Sequence, residues 1–188
     1  EKLITLTGQL IAKDLEVVVV DDGSGENYLP IFTKLTRATV FTHQENKGKG
    51  EGLKTAYRYI KKTYANEEVA IVTADSDGQH SPEDIVRIAN RAALEKDNLV
   101  LGVRNFDGTH VPLRSRVGNK ITLKIFELTS GTKLSDTQTG LRGFSSTHLE
   151  KMLEISGSRF EYEMNVLMIW AKAKRPFCEL EIQTIYEN

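Results

Sequence analysis

One cysteine, Cys178, stands among 188 residues. That scarcity excludes an internal disulfide framework and any zinc site built on several thiolates, and it suits a reducing compartment. Cys178 itself reads as a small, half-buried hydrophobe. Long apolar runs are also missing: nothing approaches the roughly 20 residues that span a bilayer. The opening "EKLITLTGQLIAKD" is neither a signal peptide nor a transit peptide. Charge of one sign is not in surplus, because 25 Lys and Arg against 26 Asp and Glu give a net −1 with the signs well mixed. No global field therefore draws the chain to nucleic acid, and no like-charge block marks a tail. Repeats and low-complexity linkers are absent as well, so residues 1–188 read as a single domain. With 39 % hydrophobic and 27 % charged residues it has the make-up of an ordinary soluble protein with a real core.

What is present alternates in a regular way. Leu3, Leu6, Leu10 and Ile11 share one helical face, and "LEVVVVDDGSGE" then reads as a buried strand ending in a turn. "ATVFTH", "EEVAIVTADSD" and "NLVLGVR" read as three more strands. Between them lie "KGEGLKTAYRYIKKTY", apolar at Leu53, Ala56, Tyr57, Ile60 and Tyr64, and "HSPEDIVRIANRAALEK". The latter carries a helix start: Ser81 as cap, Pro82 in the first helical position, Asp84 three residues after the cap. Strands that are continuous in Val and Ile, alternating with helices, predict an α/β fold with a mainly parallel sheet covered on both faces. Beyond "VRNFDGTHVPLR" the rhythm changes to a helix near 115–129, an irregular "SGTKLSDTQTGLRGF", a helix near 160–173 and a last strand around "FCELEIQTIY".

Ligands of such sheets bind beyond the carboxyl ends of the strands. Two acidic clusters fall there, Asp21–Asp22 and Asp75–Asp77. Neighbouring carboxylates repel unless a cation or hydrogen-bond donors compensate them. In extended chain, Asp75 and Asp77 would point to one side about 7 Å apart, within reach of one hard cation, and Gln79 on the same alternation would add a neutral oxygen. Magnesium or manganese suits such a set, taking its remaining ligands from water and substrate phosphates. His80 reads as a surface or capping residue. A helix-loop-helix calcium site is excluded by spacing, since Gly78 falls fourth from Asp75 rather than sixth. A phosphatase of the haloacid-dehalogenase type fits poorly, with the motif in mid-chain and Gln79 after the glycine. Farther on, Arg104, Arg114 and Arg116 flank a proline turn, and Asp136 and Arg142 lie in "SDTQTGLRGF"; guanidinium groups suit phosphate. Glu161 and Glu163 read as first-turn helix acids.

Together "VVVVDDGSG", "NKGKGEGLKTAY", "VTADSDGQHSPED" and "SDTQTGLRGF" resemble the successive motifs of family 2 glycosyltransferases with the GT-A fold, over nearly the whole chain. The nearest likeness is to the polyprenyl-phosphate branch, similar to dolichyl-phosphate mannose synthase. The resemblance implies a metal-dependent inverting transfer from a UDP- or GDP-linked sugar to a polyprenyl phosphate. Asp22 would contact the nucleotide base, and Asp75, Asp77 and Gln79 would hold Mg2+ or Mn2+ on the diphosphate. Arg104 and Arg114 or Arg116 would cradle the acceptor phosphate, with Asp136 and Arg142 lining the acceptor side. Asp136 occupies the place of a catalytic base in many relatives, and Asp77 counts as catalytic through the metal. Residues 1–103 would form the nucleotide-sugar and metal half, 104–188 the acceptor half.

The resemblance departs at the start, where relatives begin with a strand and this chain begins in the following helix, so the first strand is expected to be missing. Similar sequences also occur fused to a small membrane domain, which would put this segment in the cytoplasm at the inner face of a membrane. Two other classes remain open: a GT-A-like nucleotidyltransferase and a non-catalytic nucleotide-sugar-binding protein. The sugar, the base and the acceptor are not legible in the motifs.

Overall fold

A computed structural model describes residues 1–105 and 113–183, with the backbone alone at 113–117 and 119. The chain opens with α1 (Lys2–Ile11), β1 (Val18–Asp21), α2 (Leu29–Phe32), β2 (Thr39–Thr42) and α3 (Lys49–Thr63). It continues through β3 (Ala70–Thr73), α4 (Pro82–Leu94), β4 (Leu99–Arg104) and α5 (Leu113–Ser130). The last elements are β5 (Arg142–Ser145), α6 (Leu149–Glu154), α7 (Glu161–Lys172) and β6 (Phe177–Ile182). The α4 start matches its sequence signature: Ser81 Oγ accepts from Asp84 N at 3.1 Å, and Pro82 occupies the first helical position.

Strands pair in two groups. β1 pairs with β2 in parallel, and a separate sheet runs in the order β3-β5-β4-β6. β4 and β6 are parallel, while β5 runs antiparallel to both its neighbours. The sheet is thus mainly parallel with one reversed strand. That strand, "RGFS", begins inside the stretch expected to be irregular and ends one residue past it. Four residues with a glycine carry little strand signal; tertiary packing makes this one, since a Cβ on Gly143 would lie 2.7 Å from Ile88 Cγ2 of α4.

Each face of the sheet has its own core. Along β4 the alternation of side chains sends Leu99, Leu101 and Val103 to one face, where they join Tyr57, Phe144 and Trp170. Val100 faces the other way, with Ile85, Ile88 and Ala92 of α4 and Leu10 of α1. Burial on both faces explains why the strand reads as an unbroken apolar run. Trp170 is also tied by its Nε1–H to Pro176 O at 2.9 Å, which sets the turn from α7 into β6.

Among the described residues no helix is long and apolar enough to cross a membrane.

Candidate functional site

The carboxyl ends of β1 and β3 meet at the start of α3, a meeting that the "KGKGEG" stretch makes possible. Gly48 has φ +97°, open to glycine at little cost, and a Cβ there would lie 2.5 Å from the Arg159 side chain and 2.6 Å from Ser158 O. The bare backbone lets Glu51 N donate to Ser158 O at 2.9 Å, pinning α3 to the loop that opens α7.

Asp22, just after β1, holds this junction together. Its Oδ1 takes His43 Nδ1 at 2.7 Å and Lys47 N at 2.9 Å, and its Oδ2 takes Gly48 N at 2.7 Å. Burial opposes its charge, but these donors outweigh it and hold the carboxyl below its usual range. The neighbouring Asp21 caps its own turn, accepting from Ser24 N at 2.9 Å.

Asp75, just after β3, is the electrostatic centre. His80, whose Nε2 stands 3.8 Å from Oδ2, and, against the cost of burial, Lys49, whose Nζ donates to Oδ1 at 2.6 Å, hold its carboxyl well below the ordinary carboxylate range. The same Lys49 Nζ reaches Glu163 Oε2 of α7 at 2.7 Å. Burial alone would favour a neutral amine, yet the two carboxylates hold the Lys49 pKa above its usual value. Glu163 keeps its other oxygen, Oε1, buried and without a hydrogen-bond partner. One ammonium therefore balances carboxylates from two distant parts of the chain.

Gly140 of "SDTQTGLRGF" supplies the wall behind Asp75. A Cβ at this position would lie 2.2 Å from Asp75 Oδ2, and Gly140 O accepts from Thr73 Oγ1 at 3.2 Å. Gly140→Ala should therefore push the carboxylate off Lys49 while leaving the backbone in place. We expect activity to fall by about 10²-fold, the cost of misplacing a reacting group by about 1 Å. Steady-state kinetics beside thermal unfolding checks this, with the midpoint little changed.

Several sequence expectations need correction. The extended alternation through Gln79 does not occur: the chain turns at Ser76–Gly78, Gly78 has φ +83°, and Asp77 Oδ1 accepts from Gln79 N at 3.0 Å. Asp77 and Gln79 are exposed, and among the described residues no three His, Cys, Asp or Glu side chains converge as a ready metal cluster. His80 is buried beside Asp75 rather than lying on the surface. Asp136 is fully buried, taking Arg104 Nε at 2.7 Å, Arg104 Nη2 at 3.1 Å and Gln138 N at 2.9 Å. A bidentate clasp from Arg104 thus occupies both of its oxygens. Arg142, expected on the acceptor side, is buried too, giving Nε to Thr139 O at 3.0 Å and Nη1 to Glu163 O at 2.6 Å, and so ties the loop to α7. Arg114 and Arg116 lie in the first turns of α5, and their side chains fall outside the described residues. Lys49 went unnoticed as a site residue. Its one sequence signal was its place in the glycine-rich start of a helix that follows a strand.

Comparison with known proteins agrees with this arrangement. The model of glycosyl transferase family 2 matches residues 2–153, and the chain belongs to that family. It is 30 % identical to a UDP-N-acetylglucosamine--dolichyl-phosphate N-acetylglucosaminyltransferase of Methanococcus voltae, over 90 % of this chain and 74 % of that protein. It is 26 % identical to an undecaprenyl-phosphate 4-deoxy-4-formamido-L-arabinose transferase of Edwardsiella ictaluri, over 76 % of this chain and 43 % of that protein. These relatives fit the polyprenyl-phosphate branch. In fold the chain is similar to glucosyl-3-phosphoglycerate synthase of Mycobacterium tuberculosis in complex with UDP. There the TM-score is 0.65 at 16 % identity, covering 100 % of this chain and 68 % of that one. The same synthase has been solved with Mn2+, UDP and glucosyl-3-phosphoglycerate. The fold is GT-A, and the chain is a glycosyltransferase of the hexosyltransferase type.

Proposed function

We propose that this domain transfers a hexose from a nucleotide sugar to a polyprenyl phosphate, with inversion and with help from Mg2+ or Mn2+. The observation that carries the reading is the ionised Asp75 at the rim of the sheet, balanced by Lys49 and facing the cavity that also reaches Asp22. The relatives' own substrates, a UDP-sugar and lipid phosphates, supply the substrate classes.

The donor set fits a hard divalent ion in two respects: Asp75 is ionised, and Asp77 is exposed two residues on. Asp75 and Asp77 would hold the ion, which when bound would neutralise the departing nucleoside diphosphate. Lys49 carries an ammonium in the same place and offers it to diphosphate oxygens. Asp22 keeps the Lys47–Gly48 backbone in the turn that walls the nucleotide side. A phosphate acceptor is already anionic at neutral pH and attacks without a general base, in keeping with the sequestered Asp136. Catalysis then consists chiefly of positioning and charge stabilisation. On this reading residues 1–103 form the donor half and 104–188 the acceptor half of one domain.

The test supplies the protein, in membranes or detergent, with UDP- or GDP-sugars and a polyprenyl phosphate, with manganese or with EDTA. Nucleoside diphosphate and a lipid-linked sugar are the expected products. EDTA should abolish them, and Asp77→Ala should lower turnover by about 10²-fold or more while leaving the fold intact. Pyrophosphate release would mark a nucleotidyltransferase instead. Full turnover by Asp77→Ala would remove the metal role.

A further inference from the structure

Asp75 has two oxygens, and only one of them opens toward an ion. Behind Oδ2 stands Gly140, where a Cβ would lie 2.2 Å away, and His80 Nε2 is 3.8 Å from the same oxygen. Oδ1 remains, and Lys49 Nζ covers it at 2.6 Å. An ion shared between Asp75 and the exposed Asp77 therefore meets an ammonium in its place. Two cations at one carboxylate oxygen repel, so one of them has to yield.

The backbone of Lys49 is fixed, but its side chain is not. Gly48 and Gly50 fit α3 against the loop that opens α7, a Cβ on Gly50 lying 2.7 Å from Tyr162 Cβ, and Glu51 N donates to Ser158 O at 2.9 Å. Lys49 is the first residue of α3, where the positive end of the helix opposes a cation. Carboxylates rather than its own helix thus hold the ammonium, at the end of a flexible aliphatic stem. The second of those carboxylates has capacity to spare. Glu163 Oε2 is 2.7 Å from Nζ, while Oε1 is buried and has no hydrogen-bond partner. An unsatisfied buried acceptor is costly, and native structures keep few of them. Arg142, the other cation beside Glu163, is committed to the carbonyl oxygens of Thr139 and Glu163. The donor at hand for Oε1 is the ammonium that Oε2 already holds.

We propose that Lys49 is an exchangeable counter-ion: it neutralises Asp75 until a divalent cation arrives, and then moves its ammonium wholly onto Glu163, with Oε1 as the second acceptor. The inference rests on the metal role proposed above for Asp75 and Asp77. It makes Glu163 a positioning residue that acts through Lys49. A monovalent ion brings Asp75 no more charge than Lys49 does, whereas a divalent ion brings more, so the exchange favours Mg2+ or Mn2+. An ammonium no longer shared with Asp75 also has an N–H to give to diphosphate oxygens.

Calorimetric titration with Mn2+ alone, without nucleotide or acceptor, tests this apart from turnover. Wild type is compared with Lys49→Met, Glu163→Gln, the double variant of these two, and Lys49→Met combined with Asp75→Asn. Lys49→Met should bind Mn2+ about 10-fold more tightly than wild type, because no ammonium has to leave. Glu163→Gln should bind it about 10-fold more weakly, because the ammonium has lost its second seat. In the Lys49→Met background the Glu163 change should cost no more than about threefold, since nothing is left to move. Equal affinity in wild type and Lys49→Met, with the binding removed by Asp75→Asn, overturns the exchange and leaves the metal role intact. A 10-fold loss from Glu163→Gln that persists beside Lys49→Met also overturns it, for Glu163 would then act on the ion directly. If no Mn2+ binding depends on Asp75, the metal reading itself falls, and the exchange with it. Wild type offers a readout that needs no substitution. With isotope-labelled lysine, Mg2+ should shift the Lys49 ammonium resonance, and a resonance unmoved at saturating Mg2+ would sink the proposal.

Discussion

In the Asp75→Asn protein, sugar transfer falls by about 10²–10³-fold, the scale of losing one preorganised charge at a reacting phosphate. The amide keeps the size and the Gly140 contact of the carboxylate and removes only its charge. Lys49 is then left with Glu163 alone, and the position that attracts a cation is one charge poorer. Stability changes little, about 1 kcal/mol or less, because the Asp75 side chain is 35 % exposed and solvent screens such pairs. The pH response tells the two proteins apart. The folded pKa of Asp75 lies below the unfolded value of about 3.9. Its contribution is therefore complete above pH ~4 and is lost as pH falls toward the folded value. Wild type should hold a small advantage in thermal midpoint over Asp75→Asn at pH 7, and that advantage should shrink as the pH is lowered through 3. Melts at both pH values beside transfer rates at pH 7 check it; unchanged transfer would end the role given to Asp75.

Asp136→Ala gives the largest loss of stability, about 3 kcal/mol, at the low end for a broken buried pair because Arg104 keeps some contact with water. For a chain of this size that is about 6–12 °C in thermal midpoint. The loss has two parts: Arg104 is left without its bidentate partner, and Gln138 N loses its acceptor. Asp136→Asn should recover part of it, since an amide oxygen still accepts from one of these donors. A catalytic base would behave in the opposite way, losing turnover in both variants with an unchanged midpoint. Activity assayed below both midpoints separates the alternatives: residual transfer in Asp136→Asn close to wild type marks a positioning residue.

The rim of the sheet was legible in advance because its causes are local. Continuous Val runs ending in Asp and Gly define β1 and β3 and place Asp22 and Asp75 at their ends. The α4 start was legible for the same reason, its cap and its proline being neighbours in sequence. Lys49 and Glu163 were not, since 114 positions separate them and only the packing of α3 against the α7 loop brings them together. Gln79 failed because the alternation argument assumes extended backbone, and Gly78 breaks it with a positive φ. The burial of Asp136 and Arg142 was not legible either, because a polar loop in sequence gives no sign that it passes behind the sheet rim and uses these side chains for its own order.

The reversed strand β5 also constrains how the molecule is assembled. It sits between β3 and β4, though it follows them by 72 and 43 residues counted from the starts of the strands. β3 and β4 therefore have no common neighbour until residue 145 has been made. On a ribosome, their facing edges wait through the synthesis of α5 and the loop after it. Closing so long a loop before its contacts form is slow, and unpaired edges invite wrong partners in the interval. The same interleaving that puts Gly140 behind Asp75 thus delays this rim of the sheet until β5 has been made.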